Sequence, residues 1–297
     1  MKPSDLAHVV VDTTVQPKNV TFPTDAKLVN RAREKLVRLG VDLRQSYARV
    51  GKIELIRHQR YVHARHLKRA KKALRKLKTY LGRVNRDIKR KIADNDFLHT
   101  KFASLLNLAG RMREQERSQR GPKLYSLHAP EVECIGKFGV KVSVATTLKR
   151  CKGGQFAIHA PALPGNPYDG YTFARVILAI EKLVGTTIER IHADAGYRGH
   201  NPPSDYKFKV YTSKQKRGVT RHIQPEMRRR SAIEPVISHI EHEHRMERNY
   251  LTHRHGDANN AILAAAGYDF SLLIRWLRFL LRLILALLGA APKLAVA

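Results

Sequence analysis

The chain has 297 residues and carries 56 Lys and Arg against 25 Asp and Glu, a net charge of +31 with a pI near 10.5. That length holds one large domain or two small ones, with enough residues for a sizeable core. So large a positive excess excludes cationic partners and points to a polyanion, because neutralising a phosphate backbone releases its counterions. A ribosomal-type structural protein or a membrane-surface protein would carry a similar charge. Two cysteines, Cys134 and Cys151, form no C-x-x-C pair. That argues against a zinc finger and fits a reduced, cytoplasmic setting. Met1-Lys2-Pro3 opens no signal peptide.

Residues 9–15, VVVDTTV, are β-branched and predict a buried strand that ends in Asp12. Thr24 then starts a helix to about Leu39, with Gly40 as its stop. A long helical pattern follows to about Ile92. Within it Leu67, Ala70, Leu74, Leu77, Leu81, Val84 and Ile88 recur in steps of three and four, a heptad seam that needs a helical partner. Phe102, Leu105, Leu106, Ala109 and Met112 form a second apolar face suited to pack on it. Between Arg57 and Lys91 there are 15 Lys and Arg and one acid, Asp87. A solvated face is the ordinary reading of such a run. With so few acids to pair internally, contact with a DNA backbone is the stronger one.

After Pro122 the pattern becomes mixed. Tyr125 to Ile135, Phe138 to Thr147 and Phe156 to Leu163 predict strands, the last closed by the turn Pro164-Gly165-Asn166-Pro167. Thr172 to Val184 predicts an amphipathic helix. Ile188 to Asp194 and Tyr206 to Tyr211 predict strands, and Arg228 to Arg248 a helix. The apolar stretch from Phe270 to Leu288 is interrupted by Arg275, Arg278 and Arg282. No run of about 18 uncharged apolar residues exists, so it reads as a buried or partner-facing helix rather than a membrane span. The expected class is α/β, a mixed sheet flanked by helices with a helical insertion after the first strand. The expected divisions are 1–24 for the first strand and turn, 25–120 for the basic helical insertion, 121–250 for the rest of the sheet domain and 251–297 for C-terminal apolar helices.

Three acids stand where apolar elements end: Asp12, Asp194 and Glu234. Carboxylates in such places are costly unless paired or coordinated. Two strand acids and one helix acid suit hard divalent cations, which prefer oxygen ligands. Each taken alone is more often a strand-end turn or a salt bridge. His239 and His242 are three apart and could share a metal, but no H-E-x-x-H is present. His192 lies two residues before Asp194 and reads first as a packed strand histidine. Tyr268 and Trp276 read as core, Gly153-Gly154 as a turn, and no phosphate-binding loop appears.

Several runs resemble bacterial insertion-sequence transposases of the DDE class, in the insertion sequence five family. They include VDTTVQPKNVTFPTDAKL (11–28), FGVKVSVATT (138–147), ALPGNPYDGYT (162–172), DAGYRGH (194–200) and RRSAIEPVISHI (229–240). The resemblance extends over nearly the whole chain. It implies an RNase H-like fold in which Asp12, Asp194 and Glu234 are the catalytic, metal-binding acids, holding two Mg²⁺ ions for which Mn²⁺ substitutes. It implies cleavage of double-stranded DNA at element ends and strand transfer into target DNA, a homodimer in the DNA complex, no membrane, and a cytoplasmic, nucleoid-associated bacterial protein. Arg230 matches the family arginine expected to contact the DNA end. Arg229 and Arg198 beside the acids, and Lys68, Lys72 and Arg75 on the basic helix, are the other candidate DNA contacts. Met227 stands where a tyrosine is usual and Glu241 where a lysine is frequent. The N-terminal DNA-binding region usual in the family has no counterpart before Asp12. The alternative expectation is therefore a truncated, inactive transposase that binds DNA or acts as an inhibitor.

Overall fold

The computed structural model describes residues 2–200 and 207–288. In chain order its elements are α1 (Pro3–Leu6), β1 (His8–Pro17), α2 (Asp25–Val37), α3 (Ala48–His63), α4 (Leu67–Lys91), α5 (Asp96–Glu114), β2 (Glu133–Ile135), β3 (Lys137–Thr147), β4 (Ala157–His159), β5 (Ala162–Leu163), α6 (Phe173–Val184), β6 (Arg190–Ala193), β7 (Lys209–Thr212), α7 (Ile223–Arg229), α8 (Ile233–His242) and α9 (His253–Leu287). They fall into two compact units. Val20–Glu133 form one; the residues through Asn19, with those from Cys134 onward, form the other.

The Val20–Glu133 unit is helical. Thr24 caps α2 by accepting the Lys27 N–H on its hydroxyl, which satisfies one orphan donor of the first turn. Leu28, Ala32 and Leu36 of α2, Leu77, Leu81, Val84 and Ile88 of α4, and Phe102, Leu106, Ala109 and Met112 of α5 pack into one core. Each large side chain buried there contributes about 1.5–3 kcal/mol. The predicted seam is thus in place from Ala70 onward, but Leu67, in the first turn of α4, is 67% exposed. The helical run expected to reach Ile92 is not continuous. It breaks between His63 and Leu67, where Arg65 takes a left-handed φ of 56°. The strand expected from Tyr125 is also shorter, covering only Glu133–Ile135. Ser126 Oγ accepts the N–H groups of His128 and Ala129, folding a turn, and Pro130 has no N–H for a ladder.

The other unit is mixed α/β. Its sheet runs β2-β3-β1-β6-β7, with β4 and β5 also paired to β3. β1 is antiparallel to β3 from Val9↔Thr147 to Pro17↔Gly139, and parallel to β6 from His8↔Arg190 to Val11↔Ala193. β6 and β7 are parallel. Strand residues alternate between faces. Val9 and Val11 pack with Ile191 and Ala193 against Phe173, Val176, Ile177 and Ile180 of α6. On the other face Val10 meets Ile233, and Val140, Val142 and Val144 meet Val236 and Ile240 of α8 and Ala261, Ala264 and Leu272 of α9. The sheet is therefore open, mixed and covered by helices on both faces. At Gly139 a side chain would come within 1.9 Å of the Gln16 carbonyl oxygen, so only glycine fits where β3 leaves β1.

Three further expectations are corrected. Phe156 to Leu163 is two short strands, because Pro161 interrupts the ladder. The helix expected over Arg228–Arg248 is α7, a 3-10 turn at Arg230–Ala232, and α8 ending at His242. Pro235 accounts for the break: it lacks the N–H that would bond the Ser231 carbonyl, and it is tolerated only in the first turn of a helix. The apolar C-terminal stretch belongs to the single helix α9, where more than one helix was expected; of the buried and partner-facing alternatives the buried one does not hold beyond Leu272, since Leu277, Phe279, Leu281 and Leu287 are 55–87% exposed. No helix among the described residues is long and apolar enough to cross a membrane. Tyr206, expected to begin a strand, and residues 289–297 of the expected C-terminal helices lie outside the described residues; β7 is Lys209–Thr212.

Candidate active site

β1 does not end at Asp12, as its sequence suggested; it continues to Pro17. The neighbour ends instead. β6 stops at Ala193, opposite Val11, so Asp12 is the first β1 residue beyond its parallel partner, and Asp194 is the first residue after β6. The two aspartates thus lie side by side where the parallel pairing of β1 with β6 stops, Asp194 just past the carboxyl end of β6 and Asp12 within β1 beside it, and open α/β sheets form a crevice at such strand ends.

The side-chain direction follows from the period of two. Asp12 shares its face with Val10, which packs on Ile233 at the start of α8. That places it toward the α7–α8 junction, where Arg230 and Glu234 lie one helical turn apart. Arg230 gathers all three acids. Its Nη1 is 3.6 Å from Asp12 Oδ2, and its Nη2 is 3.9 Å from Asp194 Oδ1 and 3.3 Å from Glu234 Oε1. The Arg230 side chain is 15% exposed, whereas Glu234 is 62% exposed and Asp194 50%. One guanidinium thus faces three carboxyl groups within a strongly basic protein.

The aspartates respond differently. Burial pushes the Asp12 carboxyl up to about 6, aided by repulsion from Asp194 and Glu234; the Thr13 N–H, 2.8 Å from Asp12 Oδ1, and Arg230 pull the other way. Asp194 is held below the usual carboxylate range by the Ser213 hydroxyl at 2.8 Å and the Ala195 N–H, with help from Arg230. Asp12 is the burdened acid and Asp194 the anchored one.

As residue types, three carboxylates are donors that a hard cation accepts, and in this structure they face the Arg230 guanidinium. Yet among the described residues no three His, Cys, Asp or Glu side chains are arranged to share a metal ion as they stand. A cation at this point would have to take the place of Arg230.

The remaining candidates are dispersed. Arg198 is exposed beyond the turn that carries Asp194, with Nη2 3.5 Å from the Ser213 carbonyl oxygen. Arg229 is exposed at the end of α7. Lys68, Lys72 and Arg75 are exposed on α4 in the helical unit. His192 is a packed strand histidine: 1% exposed, stacked on Tyr211, with Nε2 3.2 Å from Glu226 Oε2. His239 and His242 face Glu243 and Glu247. Tyr268 is buried and donates its hydroxyl to the Gln155 carbonyl, while Lys152 lies over the Trp276 ring.

Three supports were not visible in the sequence. Ser213, which fixes Asp194, follows β7 and could be placed only once β7 was known to run beside β6. Glu226 on α7 joins His192, Arg190 and His8, tying α7 to β6 and β1. Lys141 Nζ, 2.9 Å from Asp169 Oδ1, holds Asp169 against the Asp194 turn: a methyl on Gly196 would lie 3.3 Å from Asp169 Oδ2.

The comparisons with known proteins are sparse. A protein of Rhizobium meliloti, described as "Uncharacterized protein ORF8 in nfe locus", is 48% identical over 68 residues, 22% of this chain. The match spans 33% of that protein's length. No family model matches the chain, and no solved structure matches it.

Proposed function

We propose that this chain is the catalytic region of a DDE-type DNA transposase with an RNase H-like fold. The observation that carries the reading is the convergence of Asp12, Asp194 and Glu234, from β1, the end of β6 and α8, on one positive group. The strand order supports it: an antiparallel set of β4/β5, β3 and β1, then β6 and β7 parallel to β1. So does a charge of +31 around a local cluster of acids.

In this reading the three carboxylates hold divalent cations, Mg²⁺ or Mn²⁺, which when bound lower the pKa of a water or 3′-hydroxyl nucleophile and stabilise the leaving oxygen. Asp12 fixes the depth of the site, because its strand is interior to the sheet. Asp194 is oriented by Ser213, and Glu234 is carried on the face of α8 that follows Arg230. Arg230 keeps three like charges together. Its planar fork suits phosphate oxygens as well as carboxylates, so it can exchange the acids for a DNA phosphate. The substrate is duplex DNA, cut at a phosphodiester and rejoined through the freed 3′-hydroxyl, with a homodimer acting on paired ends.

A second reading is a non-catalytic DNA-binding or inhibitory protein. The position of Arg230, in the midst of the three acids, favours it. Nicking of supercoiled plasmid with Mn²⁺ or Mg²⁺ separates the two, measured for the wild type beside Asp12→Ala, Asp194→Ala and Glu234→Ala. The catalytic reading expects metal-dependent nicking that all three substitutions abolish. Metal-independent nicking, or nicking that survives them, would sink it. DNA binding without nicking, on plasmid and on linear element-end DNA alike, would favour the second reading.

A further inference from the structure

The helical unit contains an open cavity of about 530 Å³ lined by Arg44, Gln45, Tyr47, Arg83, Arg86, Asp87 and Arg90. Four guanidinium groups around one space repel each other, and the one acid among the lining residues is already engaged. Asp87 Oδ2 accepts the Arg44 N–H at 2.9 Å, and Oδ1 lies 3.4 Å from Arg90 Nη2. Its side chain is only 10% exposed. It fastens the loop before α3 to α4 but leaves the cavity strongly positive.

We infer that this cavity is a phosphate-binding clamp for the backbone of duplex DNA. Guanidinium forks match phosphate oxygens two at a time, and a phosphate backbone offers several arginines the repeated charges and acceptor oxygens that a lone carboxylate lacks. The clamp also continues into a track. At 100° per residue Lys68, Lys72, Arg75, Arg83, Arg86 and Arg90 fall within one 80° arc of α4, opposite the buried Leu77, Leu81 and Ile88. At ~1.5 Å per residue this line extends for about 33 Å, the length of roughly ten base pairs at ~3.4 Å each. A row of that length fits a regular backbone better than a small anion. Tyr47 argues against a single strand with splayed bases. Its ring is stacked on Tyr80 at 4.8 Å, and Arg83 lies over it at 5.9 Å, so the aromatic surface props an arginine. The clamp neutralises phosphates and reads no bases.

This inference rests on the reading that the chain works on DNA, and the test separates the two. The affinity of the full chain for a 30-base-pair duplex is measured from 50 to 300 mM salt. The variants are Arg83→Gln/Arg86→Gln/Arg90→Gln together and, as control, Lys182→Gln on α6. The three arginine side chains are exposed, and glutamine keeps the helix propensity of α4; circular dichroism confirms that the variant is folded. Each phosphate that is no longer neutralised reduces the slope of log affinity against log salt by about 0.9. The triple variant is expected to lower that slope by roughly 2–3 and the affinity more than tenfold at low salt, equally on unrelated sequences, while the control changes the slope by no more than about 1. A wild type that binds duplex with a steep slope, beside a triple variant matching the control, overturns the clamp and leaves the DNA reading intact. A wild type that does not bind duplex overturns both. Pyrophosphate binding that the triple variant abolishes, with an unchanged duplex slope, would assign the cavity to a small anion instead and overturn the clamp.

Discussion

Asp12 carries a cost that the structure makes measurable. Its carboxyl rises from 3.8 to about 6 on folding, chiefly through burial. An acid with a raised folded-state pKa stabilises the fold below its unfolded value and loses that contribution as pH rises through the folded one. For Asp12 the window is pH 4 to 6. Above it, a rise of about two pH units at ~1.4 kcal/mol each costs the fold about 3 kcal/mol. That figure is an upper bound, because the side chain is 20% exposed and partly screened. Asp12→Asn keeps the oxygen that accepts the Thr13 N–H and removes the charge. The expected result in thermal melts with EDTA is little difference from wild type at pH 4, and a variant more stable by about 1–3 kcal/mol at pH 7.5. An Asn variant less stable than wild type at pH 7.5 would show that attraction to Arg230 outweighs burial. A difference independent of pH would show that Asp12 does not titrate in this window. Either result refutes the argument.

Arg230→Gln removes the cation shared by the three acids, so the variant should melt lower in EDTA by about 1–3 kcal/mol. Mn²⁺ should raise its melting temperature by more than it raises that of wild type; equal shifts would mean that arginine and cation do not compete for the carboxylates. Asp257→Ala should remove the carboxylate that lies 2.6 Å from the Lys18 ammonium, in a pair whose side chains are both about 5% exposed or less. Breaking such a pair costs about 3–5 kcal/mol, and a urea midpoint unchanged from wild type would contradict it. Gly139→Ala drives a methyl into the Gln16 carbonyl and should cost more than about 3 kcal/mol or prevent folding; a soluble variant with wild-type hydrogen exchange across β1 and β3 would show that the ladder end yields.

The sequence made the elements legible where one period dominates. The three-and-four spacing from Ala70 to Ile88 forecast the buried face of α4, because a helix in a bundle must bury such a stripe. The alternation in Phe138–Thr147 forecast β3 as a strand, but not that its residues from Val142 to Thr147 are buried on both faces. Prolines were the blind spot. Pro161 split one expected strand and Pro235 divided one expected helix, and each acts through a missing N–H whose effect depends on the neighbour that needs it. The acids were legible as residue types at the margins of apolar runs. Their meeting point was not, since it depends on β6 stopping at Ala193 while β1 continues, and that is a fact of pairing between strands remote in sequence.

The register of β1 ties those acids to the rest of the fold. Four successive residues on one face of the strand each engage a different part of the segment from 230 to 260. Val10 packs on Ile233, Asp12 faces Arg230, Thr14 donates its hydroxyl to Glu241, and the Gln16 side chain bonds the Asp257 carbonyl and Asn260. Glu241 therefore serves the strand. Where the resemblance leads one to expect a lysine, this chain has a buried carboxylate tied to Thr14, so that position offers no cation to DNA. A slip of one residue would turn Asp12 toward α6, among Phe173, Val176 and Ile177, and leave a carboxylate without a counter-ion in an apolar layer. That penalty exceeds what any single apolar contact along the strand returns. The same charge that makes Asp12 costly in the correct register excludes the wrong one, so the strand cannot fold stably without bringing Asp12 to Arg230 and, through it, to Asp194 and Glu234.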